Sequence, residues 1–170
     1  MRFLIVGLCV FATACSGTAS TSPTAPTAAL SQGGGGVLVT AATNASDLPF
    51  NGDLHGTESN DTPHHLVATG NGGHLGRFTY TADITVDDTT GHGAGPVVWV
   101  AANGDQIFAN ALGSIAGASA SSITIAETQT ITGGTGRFAG ASGSIMLSYS
   151  IEFATGSVKG SYTGTIDLGH

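Results

Sequence analysis

The sequence predicts an all-β protein: an eight-stranded antiparallel β-barrel over residues 37–170, preceded by a signal peptide (1–14) and a disordered tether (15–36). Three observations predict it. In three long segments apolar and polar residues alternate with a period of two, the mark of strands with one buried and one wet face. Five further segments of strand composition bring the total to eight, joined mostly by short turns rich in Gly, Asn and Asp. No window carries an apolar stripe at helical spacing with a cap at either end.

Composition bounds the partners. Charged residues make up 9% of the chain, against roughly 25% in ordinary soluble domains. Beyond the leader, three basic residues (Arg77, Arg137, Lys159) face eleven acidic ones, a side-chain charge of −8. Nucleic acid is therefore not an expected partner, since its phosphates call for Lys and Arg. A polybasic contact with anionic lipid is disfavoured for the same reason. Intrinsic disorder of the whole chain is not expected, because 41% of residues are hydrophobic.

The first residues read as an address. Arg2 supplies one positive charge, residues 3–12 (FLIVGLCVFA) form an apolar run of secretory-signal length, and Thr13 and Ala14 are small. The run is too short for a stable membrane-spanning helix. Ala12-Thr13-Ala14-Cys15-Ser16 resembles a bacterial lipobox, which makes Cys15 the expected lipidation site and first mature residue. The plainer alternative is an ordinary signal cleaved near Ala14, with Cys15 incidental. The only other cysteine, Cys9, leaves with the leader, so a disulfide scaffold is excluded. Ser16 rather than Asp after the cysteine resembles lipoproteins sorted to an outer membrane. Residues 16–36 (SGTASTSPTAPTAALSQGGGG) have no charge and no periodicity, the composition of a flexible tether between lipid and folded domain. The expected location is the bacterial cell envelope, lipid-anchored.

The strands follow in order. Residues 48–57, 64–70, 96–102, 106–115 and 122–132 are strand candidates, and 77–87, 144–153 and 158–168 alternate strictly. In 77–87, Phe78, Tyr80, Ala82, Ile84 and Val86 share the apolar face. In 144–153 that face is Ile145, Leu147, Tyr149, Ile151 and Phe153; in 158–168 it includes Val158, Tyr162, Ile166 and Leu168. Ala154-Thr155-Gly156 marks a hairpin, and Asn103-Gly104 predicts a type I′ turn with positive φ at both residues. Closing the sheet removes edges that so few charges would leave unguarded. Eight strands enclose an interior that side chains fill or that holds one small ligand. A transmembrane barrel would need aromatic girdles, and eleven scattered aromatics do not form them.

The string GGTGRFAGASG at residues 133–143 resembles the glycine-rich signature of allene oxide cyclase-like and dirigent-like barrels. Residues 70–79 (GNGGHLGRFT) and 102–105 (ANGD) fall in the same order as in a group of secreted bacterial proteins without assigned function. That likeness runs from about residue 48 to 167. It implies the barrel fold, a homo-oligomer such as a trimer, and a place where a small apolar intermediate is steered. None of the polar catalytic residues of the plant enzymes maps onto this chain position by position, and one fold hosts unrelated functions.

The chemistry-bearing residues are few. Arg137, within the glycine-rich string, is expected to pair with a carboxylate or to touch a ligand. The string itself is not a phosphate loop, since no helix follows it; its glycines fit a bulge or barrel corner. His74 is expected to hold its loop by backbone hydrogen bonds or to contact a ligand. Trp99 is expected in the core, or with Tyr80, Tyr149 and Phe153 as the aromatic wall of a cavity. Asp53 and His55 share one face, whereas the adjacent His64 and His65 must diverge. No HxH, HExxH or cysteine ligand spacing occurs, so neither metal nor cofactor is expected. Residues 60–63 and 87–93 are turn chemistry without a calcium loop's closing Glu. No serine elbow is present, and the acids read as scattered through loops and outward positions. Two functions remain: a binding or interaction module in the envelope, or a cyclase- or isomerase-like barrel enzyme. A solid core of Phe78, Tyr80, Ile145, Leu147, Tyr149 and Tyr162 would oppose the enzyme. A reachable cavity with two convergent polar groups would favour it.

Overall fold

The computed structural model describes residues 47–169. The expected signal peptide and tether, Cys15 among them, residues 37–46 of the expected domain and His170 lie outside the described residues. Eight strands follow one another: β1 (Leu48–Glu58), β2 (His64–Gly72), β3 (Gly76–Asp87), β4 (His92–Val100), β5 (Gln106–Ala118), β6 (Ser122–Gly134), β7 (Ser142–Glu152) and β8 (Ser157–Asp167). Each pairs antiparallel with the next, and β8 returns to β1 from Leu48↔Ile166 to Thr57↔Ser157, closing the barrel. The described residues contain no α-helix, only a 3-10 turn at Gly136–Phe138.

The alternating segments bury the faces their spacing assigns. Phe78, Tyr80, Ala82, Ile84, Ile145, Leu147, Tyr149, Val158, Tyr162 and Ile166 are all core residues. Two expectations need correction. Val86 and Phe153, placed on apolar faces, are 38% and 54% exposed, because their strands carry them past the core to one rim. β4 begins at His92, four residues before the sequence expectation of Pro96.

In such a meander, alternate hairpins share an end. The β2–β3, β4–β5 and β6–β7 connections lie at one end, which is stoppered by the buried side chains of Leu75, Ala101, Phe138 and Ala141. Above this stopper Trp99 packs edge-on against Tyr80 (ring centroids 4.7 Å), Tyr162 (4.8 Å) and Phe50 (5.8 Å), and tilted against Phe78 (5.1 Å). Glycines make room for these rings. A Cβ at Gly52 or Gly72 would fall on the Tyr162 hydroxyl, and one at Gly70 on the Phe78 ring. The Tyr162 hydroxyl is buried without a hydrogen-bond partner among the described residues.

The β4–β5 turn differs from the type I′ expectation. Gly104 N–H donates to the Ala101 carbonyl at 2.9 Å, so Ala102 and Asn103 form the turn's centre. Only Gly104 (φ 89°) has positive φ there. Five residues, 101–105, link the strands instead of two, and a longer hairpin takes an ordinary turn followed by a left-handed glycine.

Candidate functional site

Three of the sequence candidates lie away from any cavity. His74 sits in the β2–β3 turn, exposed, with φ 64°. Its ring makes no hydrogen bond to a described residue, which corrects the expected loop-holding role. The loop is held by backbone instead: Gly73 N–H to Asn51 carbonyl (3.1 Å) and Ala102 N–H to Leu75 carbonyl (3.1 Å). Arg137 does meet a carboxylate, with Nε 3.9 Å from Asp105 Oδ2 and its guanidinium 4.8 Å from the Phe138 ring centroid. Asp105 also accepts the Arg137 backbone N–H (3.2 Å) and the Asn103 amide (2.7 Å). Those donors, then the Arg137 charge, hold its carboxyl below the usual range. The glycine-rich string thus forms part of the stopper, turning Phe138 into the core, and a register shift at Gly133 bulges β6 against β5. Trp99 is core.

The opposite end, formed by the β1–β2, β3–β4, β5–β6 and β7–β8 connections, is open. A cavity of about 350 Å³ enters the barrel there. Leu66, Ile84, Ile123, Ile125 and Ile151 form its walls; Val86, Ile115 and Phe153 stand at its rim. The space exists because inward positions on one wall are empty of side chains. In the ladders Glu127 faces Gly113, and Gly113 faces Gly93. Two adjacent strands therefore contribute no side-chain volume at that level.

The floor is polar. Glu127 is only 5% exposed, and Tyr149 lines the cavity beside it. Glu127 Oε1 accepts from Gln129 Nε2 at 2.6 Å and from the Tyr80 hydroxyl at 3.4 Å. Gln129 Nε2 also donates to the Tyr80 oxygen at 3.1 Å, and Gln129 Oε1 accepts from Trp99 Nε1 at 3.0 Å. An indole N–H only donates. It therefore fixes the Gln129 amide with its oxygen toward Trp99 and its NH₂ toward Glu127. Burial pushes the Glu127 carboxyl above the ordinary carboxylate range, while the donors Gln129, Tyr80 and Tyr149 pull the other way. Burial first, then the Glu127 charge, also pushes the Tyr80 and Tyr149 phenols upward.

At the rim His64 Nδ1 meets Glu58 Oε1 at 2.5 Å, and Glu152 adds a further carboxylate to the lining. His65 points outward to Asp83, as adjacency on a strand requires. Asp53 and His55 share the exposed outer face of β1. Among the described residues no Lys or Arg lines the cavity, and no group of three or more His, Cys, Asp or Glu is placed to hold a metal ion.

Of the expected aromatic wall, Tyr149 and Phe153 line the cavity, whereas Trp99 and Tyr80 pack in the layer beneath it. Glu127 corrects the reading of acids as loop and outward residues. Its signal was present: Ile123, Ile125, Glu127, Gln129 and Ile131 fall in one phase of β6, so two polar residues occupy the inward, apolar series. Fold and site together define a closed meander barrel, stoppered at one end and open at the other onto an apolar cavity with an acid floor. No protein family, curated protein or solved structure matches the chain.

Proposed function

We propose that this is an exported, lipid-anchored envelope protein whose barrel binds one small apolar ligand through its open end. The observation that carries the reading is the cavity of about 350 Å³, walled by branched aliphatic side chains and reached past Val86, Ile115 and Phe153. Sites for small molecules are concave, mostly apolar and carry a few placed polar groups, and Glu127 and Tyr149 supply these. The leader and tether support the address, with Cys15 as the lipidated residue and Ser16 favouring the outer membrane. The glycine-rich likeness to allene oxide cyclase-like barrels accords with a barrel that shelters a small apolar guest.

A second reading, a cyclase- or isomerase-like enzyme, is favoured by one observation. A buried carboxyl displaced upward, beside a tyrosine in a reachable cavity, is the environment in which acid–base groups work near neutral pH.

An apolar fluorescent probe such as N-phenyl-1-naphthylamine should bind the full chain saturably at one site. Ile125→Trp, which puts an indole into the cavity, should abolish that binding while leaving the circular dichroism of the barrel intact. Unchanged probe binding in this variant would place the site elsewhere. The address is tested separately: Cys15→Ser should move the protein from the membrane to the soluble fraction of the cell envelope. Membrane retention with unchanged mass would contradict lipidation.

A further inference from the structure

We propose that the ligand of this cavity is an apolar cation, an aliphatic or aromatic amine whose ammonium group reaches Glu127 while its hydrocarbon body lies against Leu66, Ile84, Ile125 and Ile151. The inference rests on the reading of the barrel as a ligand-binding module and names the chemistry of its guest. It follows from how the floor is built.

Glu127 is buried, and every group that contacts it is neutral: Gln129, Tyr80 and Tyr149. Because Trp99 fixes the Gln129 amide, an NH₂ rather than a carbonyl is aimed at Glu127 Oε1. The Gln129 and Tyr80 donors both fall on Oε1 and favour the carboxylate against the burial that pushes its carboxyl up, so a cation seated against Glu127 would tip the balance to the charged form. A buried carboxylate also needs a positive partner, and the described residues provide none there. Arg137 is tied to Asp105 at the stoppered end. Lys159 and Arg77 are exposed and absent from the lining. Glu58 and Glu152 make the route inward acidic as well, with His64 held by Glu58.

An alkylammonium group supplies the missing charge and three donors, for which the Glu127 carboxylate and the Tyr149 oxygen are acceptors. A carboxylate-headed lipid would meet like charge at rim and floor. A neutral alcohol would leave the Glu127 charge uncompensated.

Calorimetric titration of the full chain with octylamine, octanol and octanoate separates these cases, since the three share a tail and differ in head. Octylamine should bind at least about thirtyfold more tightly than octanol, the scale of a desolvated charge pair, and octanoate most weakly. Glu127→Gln should abolish the preference for octylamine over octanol. Octanol binding equal to octylamine, or octanoate binding tightest, would overturn the inference and leave the cavity reading standing. Binding of none of the three would remove that reading and the inference with it. Undiminished octylamine affinity in Glu127→Gln would overturn Glu127 as the anchor. The wild-type ranking decides on its own should the variant fail to fold.

Discussion

Trp99→Ala should cost about 4 kcal/mol, within the range for deleting a buried large aromatic. Small domains have only about 5–15 kcal/mol in total, so the variant should sit near its unfolding midpoint at modest temperature. Trp99 is fully buried and packs against the rings of Phe50, Phe78, Tyr80 and Tyr162. Its loss opens a cavity in the aromatic layer of the barrel. It also strands Gln129 Oε1, whose partner is the indole N–H, and a buried acceptor left unmade costs free energy in its own right. Trp99 is the only tryptophan, so the measurement is denaturant unfolding followed by circular dichroism. A loss below about 1 kcal/mol would mean that the aromatic layer is not the stability core.

Gly70→Val should be nearly as damaging, about 3 kcal/mol, through overpacking rather than a void. Gly70 is an inward position of β2 beside Phe78 on β3. A Cβ there would meet the Asp53 backbone carbonyl and lie 2.5 Å from Phe78 Cζ. Phe78 has little room to yield, since Trp99 stands behind it, and the Asp53 carbonyl moves only if the β1–β2 ladder opens. The same denaturant series checks it. Wild-type stability in Gly70→Val would show that the β1–β2 seam is loose and that glycine is not required for space.

These two positions also mark what the sequence discloses. Three strands, β3, β7 and β8, are legible from alternation, which survives wherever one face is buried, and the other five from strand composition between turn residues. The start of β4 is hidden in the sequence because His92, Gly93, Ala94 and Gly95 offer no large inward side chain to reveal the period. Val86 and Phe153 were assigned to the correct face but to the wrong depth, since period two says which way a residue points and nothing of how near the rim it stands. The location of the cavity required register. Glu127 opposite Gly113, and Gly113 opposite Gly93, are juxtapositions across three strands, invisible along any one of them. Glu127 itself was within reach, as a carboxylate in phase with Ile123, Ile125 and Ile131. His74 and Arg137 are polar residues in glycine-rich strings. In a meander the second, fourth and sixth connections must share an end, so those strings belong together at the stopper.

Native mass spectrometry of the protein, taken gently from its own envelope fraction, tests most directly whether the open end of the barrel holds a guest. One extra small mass per chain is predicted, absent from Ile125→Trp and weakened in Glu127→Gln. A bare mass for the wild-type chain, still bare after incubation with octylamine and N-phenyl-1-naphthylamine, would contradict it.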